Sequence, residues 1–243
     1  MGITTASCLL AKAKVDGKNI VRPYTPTNIN SEKGFLELVV KGYQTGLLSK
    51  HIVELKEGDV LEMKGPFGYP TGLLSKHIVE LQVGDSLEMK GPFVKFKYEA
   101  NKYKKIGFIA GGSGLTPLLQ VAKEICRNPA DKTEIVLIFA NVTEEDIILR
   151  EELDALQYLY PQFKVIHVLS NPAETWTGLK GFVSKEMIEE FIPGPSDDHL
   201  VCVCGPPPMM YHISGDKAED KTQGELQGLL KDLNYTSKQV FKF

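Results

Sequence analysis

Ile106-Gly-Phe-Ile-Ala110 runs directly into Gly111-Gly-Ser-Gly-Leu-Thr-Pro117 and on into an amphipathic stretch that ends at Arg127. A short apolar strand, a glycine-rich turn and a helix in immediate succession make the opening unit of a parallel α/β sheet. Such a turn lets a pyrophosphate approach the backbone, and the free N–H groups of the helix start point at it. Thr116 is expected to cap the helix and Pro117 to take its first position, where a missing N–H costs nothing. The turn departs from G-x-G-x-x-G, because Pro117 stands where the third glycine would be. A tight strand-to-helix turn without a ligand leaves the same trace, so these residues speak for the fold before they speak for a function.

Outward from this unit the alternation continues: Glu134-Ile-Val-Leu-Ile-Phe-Ala140, a helix from Ile147 to Tyr158, a strand from Phe163 to Leu169, a helix from Ser184 to Phe191, and Leu200-Val-Cys-Val-Cys204. Ligands of open parallel sheets bind beyond the carboxyl ends of the strands, which is where Cys204-Gly-Pro-Pro-Pro-Met209 lies. Cys204 suits a place against a flat ring, with a plain buried thiol as the competing reading. Cys202 is read as turned away from it, so Cys-x-Cys is not taken as a metal pair.

Before residue 104 the pattern changes to short strand-like runs such as Gly34-Phe-Leu-Glu-Leu-Val-Val-Lys41 and Ser86-Leu-Glu-Met-Lys90, divided by Gly-Asp and Pro turns. That pattern predicts an antiparallel barrel or sandwich. Two domains are therefore expected, 1–103 and 104–243. Within the first, Gly42 to Phe67 reappears as Gly68 to Phe93 with changes only at Gln44/Pro70, Lys56/Gln82, Glu57/Val83 and Val60/Ser86. Two copies cannot stack as a solenoid, which needs about three units, so this is a local duplication.

Arg22-Pro-Tyr-Thr-Pro26 offers a cation, an aromatic face and a hydroxyl on one strand, the groups that a diphosphate joined to a flat apolar ring would use. Lys41 and Tyr43 repeat that spacing. Thr45-Gly-Leu-Leu-Ser49 precedes a short helical pattern and gives either a phosphate cradle or an ordinary cap.

Composition narrows the classes. A net charge of -3 over 243 residues gives no argument for nucleic acid. Four irregularly spaced cysteines point to a reducing compartment, with neither a disulfide framework nor a zinc site. No apolar run reaches transmembrane length, so the chain as given is expected to be soluble.

Taken together, the ordered motifs resemble those of the NADH-cytochrome b5 reductases. The resemblance rests on Arg22, Tyr24, Thr25 and Pro26, on Gly46 and Ser49, on residues 111–117, on Cys204-Gly-Pro-Pro207, and on Phe139-Ala-Asn-Val-Thr-Glu-Glu-Asp-Ile-Ile-Leu-Arg150. Lys90-Gly-Pro-Phe-Val-Lys-Phe-Lys97 and the tail from Ser214 to Phe243 look like the fungal mitochondrial outer-membrane form. The resemblance implies a β-barrel FAD domain followed by an NAD domain, with FAD and NADH as cofactors and cytochrome b5 or a similar haem protein as acceptor. It places FAD against Arg22, Pro23, Tyr24, Thr25, Val39, Lys41, Tyr43, Gly46, Leu48 and Ser49. It places the dinucleotide against Gly111, Gly112, Ser113, Thr116, Cys204, Gly205, Pro206, Pro207 and Met209. Thr25, Lys41 and Cys204 are the expected catalytic set, and no metal is expected.

A monomer is expected, associated with the mitochondrial outer membrane or endoplasmic reticulum only through an upstream anchor that this chain lacks. Lys95, Lys97, Lys102, Lys104 and Lys105 form the densest basic stretch, a candidate docking face or a solvated interdomain loop. Ser170 and Asn171 occupy the loop where an acid would repel an NADPH phosphate, which predicts a softened preference for NADH. Relative to the family, Met1 aligns with the middle of the barrel, and the duplication adds to the same half. A nucleotide-binding remnant, or a module for another one-electron acceptor, are the competing expectations.

Overall fold

A computed structural model describes residues 5–15, 18–29, 31–32, 37–39 and 88–243. Lys41, Tyr43, Gly46, Leu48 and Ser49, the first repeat copy and most of the second lie outside the described residues.

In the N-terminal half, β1 (Ser7–Val15) pairs antiparallel with β2 (Lys18–Tyr24) and with β3 (Glu88–Val94). The register sets Leu9 opposite Tyr24 and Cys8 opposite Phe93, with a bulge between Cys8 and Leu10. The last residues of the second repeat copy are thus part of this sheet. The Arg22–Pro26 motif ends its outer strand, and Thr25 and Pro26 begin the connection that follows.

The C-terminal half is a parallel sheet of β4 (Lys105–Gly111), β5 (Glu134–Asn141), β6 (Phe163–Leu169), β7 (Leu179–Lys180), β8 (His199–Cys204) and β9 (Val240–Lys242). Its order is β7-β6-β5-β4-β8-β9. One face is covered by α1 (Leu115–Arg127) and α2 (Arg150–Leu159), packed on Phe108, Leu137, Phe139 and Phe163. The other is covered by α3 (Lys185–Phe191), α4 (Pro207–Ser214) and α5 (Gly228–Asp232), packed on Ile109, Ile138, Val201 and Val203. Strands clad on both faces read as unbroken apolar runs, which is why these were visible in the sequence. Each large side chain closed off this way, Phe108 and Ile109 among them, contributes roughly 1.5–3 kcal/mol. Because α1 leaves β4 towards one face while α4 leaves β8 towards the other, the adjacent carboxyl ends of β4 and β8 flank the switch point where such sheets open a crevice.

Three local expectations are corrected. The helix after the glycine turn begins at Leu115, preceded by a single 3-10 turn over Gly112–Gly114. Its N-cap is therefore Gly114, not Thr116, and Pro117 occupies the third helical position, still inside the turn whose N–H groups have no partner. The second helix starts at Arg150 instead of Ile147, since Leu149 is left-handed (φ 54°) and Asp146 closes a turn by accepting from the Thr143 N–H at 3.1 Å. Cys202 and Cys204, two apart on β8, share a face: Cys202 is a member of the α1-side core and Cys204 packs against it. Pro207 and Pro208 are the first two residues of α4, where a fixed φ and an absent N–H are tolerated. Ser184 caps α3, accepting from the Met187 N–H at 3.3 Å.

Candidate functional site

A cleft of about 1400 Å³ lies between the two sheets and takes its walls from both halves. Small-ligand sites usually enclose about 300–1,000 Å³, so this volume exceeds what one compact ligand needs. From the N-terminal half come Pro23, Tyr24, Thr25 and Val39. From the other come Gly111, Gly112, Ser113 and Thr116 at the end of β4, and Cys204, Gly205, Pro206 and Met209 at the end of β8. The fold thus brings residues 23–25, the glycine turn and the Cys204 loop, remote in sequence, to one cleft. Pro207 does not line it; Pro208 does. The Arg22 side chain lies outside the described residues.

Close packing shapes the dinucleotide side. A β-carbon at Gly111 would come within 2.9 Å of Pro206, and one at Gly205 within 2.7 Å of the Met209 sulfur. The Pro206 ring and the Met209 side chain leave little room for a larger residue at either position, and Gly112 has a positive φ of 52°. The loops beyond β4 and β8 are therefore held together as one surface, capped by the N-terminal turn of α1. Thr116 turns its hydroxyl back to donate to the Ser113 carbonyl at 3.3 Å.

The cleft is electropositive. Among its described lining residues there is no aspartate or glutamate, while Lys95, Lys217 and Lys221 all face it. Burial first, and then the like charge of Lys95, hold the Lys217 ammonium below its usual pKa. An anionic ligand relieves that repulsion. Burial pushes the Cys204 thiol up to about 12, so it presents a neutral, polarizable surface and not a thiolate nucleophile.

Sequence reading missed several wall residues. Phe243 lines the cleft just beyond β9, a strand of only three residues and too short to leave a periodic signal, whose Phe241 packs against Phe96 at 4.9 Å between ring centroids. Asn141 was findable, since it ends β5 at the sheet edge where ligands gather. Its buried side-chain amide has no hydrogen-bond partner among the described residues. Of the basic stretch, Lys97 and Lys102 pair with Glu99 and Lys105 with Glu134, while Lys95 turns towards the cleft. Among the described residues no cluster of His, Cys, Asp or Glu is arranged to hold a metal, and no helix is long and apolar enough to cross a membrane.

The residues present suit a dinucleotide: a glycine cradle at a helix start, a thiol-bearing loop beside it and lysines lining the walls, all in one cleft. They suit the ring of a flavin on the opposite wall, where Leu10, Tyr24, Thr25 and Val39 give an apolar and hydroxyl-bearing surface. Comparison with known proteins agrees. Residues 108–215 match the oxidoreductase NAD-binding domain and residues 1–69 the oxidoreductase FAD-binding domain. The cytochrome b5 reductase domain of Ulva prolifera nitrate reductase superposes with a TM-score of 0.79 at 31% identity, over all of this chain and 86% of that one. Fold and site together define a ferredoxin-reductase-like oxidoreductase that binds FAD and NAD.

Among curated proteins, the NADH-cytochrome b5 reductase-like protein of Arabidopsis thaliana is 45% identical over 249 residues, covering all of this chain and 68% of its relative. NADH-cytochrome b5 reductase 2 of Aspergillus terreus is 44% identical over 245 residues, covering all of this chain and 69% of its relative. The chain belongs to the NADH-cytochrome b5 reductase family.

Proposed function

We propose that this chain passes electrons from NADH through FAD to cytochrome b5, with its working parts divided between a flavin half, 1–103, and a dinucleotide half, 104–243. The observation that carries the reading is that Thr25 and Cys204 line one cleft, Thr25 after the outer strand of one sheet and Cys204 at the switch point of the other. When bound, the two cofactors supply the chemistry, a hydride passing from nicotinamide to flavin and single electrons leaving for the haem protein.

The chain's own residues bind and orient. Gly111, Gly112, Ser113 and Thr116 would hold the pyrophosphate of NADH, with Cys204, Gly205, Pro206 and Met209 beside its nicotinamide and Pro207 behind that wall, opening α4. Cys204, neutral at physiological pH, fixes the ring by contact and withholds any nucleophile. Arg22 neutralises the flavin diphosphate, with Gly46 and Ser49 as its backbone cradle. Thr25 and Lys41 hydrogen-bond near the flavin ring, and Pro23, Tyr24, Val39, Tyr43 and Leu48 bound it. No side chain has to act as general acid or base, because orientation of the two rings is the protein's contribution.

A monomer suffices, because both described walls of the cleft come from the one chain. The test is NADH-dependent reduction of purified cytochrome b5 by the FAD-loaded chain. Haem reduction that requires both NADH and FAD supports the reading. Reduction of ferricyanide but not of cytochrome b5 would move the acceptor to another class of protein.

A further inference from the structure

One face of α1 is turned away from its own sheet and towards the connection that follows Thr25. Thr116, Gln120, Lys123 and Arg127 recur at helical spacing and form a single stripe. Gln120, 1% exposed, works in both directions: its Oε1 accepts from the Ala6 N–H at 2.6 Å and its Nε2 donates to the Asn28 carbonyl at 3.4 Å. Lys123, 3% exposed, donates through Nζ to the Thr27 carbonyl at 2.9 Å. The same ammonium pairs with Glu152 of α2 at 2.5 Å and approaches Glu37 at 3.9 Å. Glu37 in turn accepts from the Thr27 hydroxyl and, through its carbonyl, from the Thr27 N–H at 3.0 Å. At the outer end of the stripe Arg127 pairs with Glu32.

Burying an ammonium costs free energy that an apolar side chain of similar volume would not incur, so the gain has to be sought in geometry. Thr27 is two residues beyond Thr25. Lys123 is seven residues beyond Thr116 on one helix, about 10 Å along its axis. The lysine therefore joins, through one rigid helix, the turn that carries Thr25 to the turn that carries Thr116.

We propose that Lys123, assisted by Gln120, is a positioning residue for hydride transfer: it locks the flavin half against the dinucleotide half so that the two ring sites keep a fixed separation. The proposal rests on the electron-transfer reading above. An apolar interface can slip, whereas a buried ammonium bonded to one carbonyl and one carboxylate, with a second carboxylate 3.9 Å away, cannot do so without losing the partners of its charge.

The experiment is stopped-flow reduction of the FAD-loaded chain by NADH, comparing parent, Lys123→Met, Lys123→Arg and Gln120→Leu. It reads the saturating rate of flavin bleaching, the NADH Kd and the charge-transfer absorbance between reduced flavin and NAD+. The expected result for Lys123→Met and Gln120→Leu is a saturating rate lowered about 10- to 100-fold and a weakened charge-transfer absorbance, with Kd within about twofold of the parent. Lys123→Arg, which keeps the charge, should recover most of the rate. Parent-like rates and absorbance in the variants, with only the melting temperature lowered, would overturn the proposal. If Lys123→Met does not fold, Gln120→Leu decides alone, since it leaves no buried carboxylate unpaired: slow bleaching supports the proposal and parent-like bleaching overturns it. A parent chain that NADH does not bleach contradicts the electron-transfer reading itself, and this proposal falls with it.

Discussion

Gly114 lies directly against the backbone of Cys204: a β-carbon at 114 would fall within 2.6 Å of the Cys204 carbonyl carbon and 2.8 Å of the Gly205 nitrogen. Both obstacles are main chain, so neither can rotate away. Gly114 has ordinary helical dihedrals (φ -62°, ψ -7°), which means that space alone, and not conformation, demands a glycine. The contact joins the start of α1 to the end of β8, the two loops that shape the dinucleotide side.

Gly114→Ala should therefore push the turn away from Cys204, lowering stability by about 1–3 kcal/mol and weakening NADH binding by at least tenfold. Gly194→Ala, where a β-carbon meets nothing within 4 Å, should change neither. Thermal melts and NADH titrations of the two variants check this directly. A fully NADH-competent Gly114→Ala would mean that the two loops need not touch.

Thiol chemistry gives a second expectation. Burial raises Cys126 and Cys204 from the ordinary 9.0 to about 12, and it also raises Cys202. A group whose folded pKa is raised lends stability that is fully present below its unfolded pKa and is lost as pH rises through the folded value. Stability should thus decline between about pH 9 and pH 12, and less steeply in Cys126→Ala. Thiol titration of the native chain near pH 8 should find Cys126, Cys202 and Cys204 unreactive, while all four cysteines react after denaturation. Rapid native labelling of Cys204, which lines the cleft, would contradict a thiol held neutral by burial.

Cofactor choice turns on Ser170, which lines the cleft just beyond β6. The residue neither attracts nor repels a phosphate. Ser170→Asp should sharpen the preference for NADH over NADPH by about 1–2 kcal/mol, roughly tenfold in the ratio of kcat/KM values. An unchanged ratio would place the 2'-hydroxyl of the ribose elsewhere.

Much of this was legible in the sequence because the parallel strands are clad on both faces and read as apolar runs, and because motifs remote in the chain kept one family's order. What was not legible depends on packing between elements. The role of Gly114 becomes visible only when β8 lies beside β4, and β9 is too short to show a period. The start of α2 was misread because Leu149 adopts a left-handed conformation that no local pattern announces. Cys202 was assigned to the wrong face although the period of a strand is two, an error of reading and not of signal. The interdomain stripe of Gln120, Lys123 and Arg127 has no local signature, since nothing in the helix itself says that the connection after Thr25 will cover it.

The central claim is that one cleft brings FAD and NADH together. It is tested most directly by the visible absorption spectrum of the purified chain after loading with FAD and removal of free cofactor, recorded anaerobically before and after NADH. The account predicts retained yellow flavin bands that bleach on adding NADH, and less flavin retained by Arg22→Ala while NADH binding persists. Flavin that is not retained, or that stays oxidised in excess NADH, would contradict it.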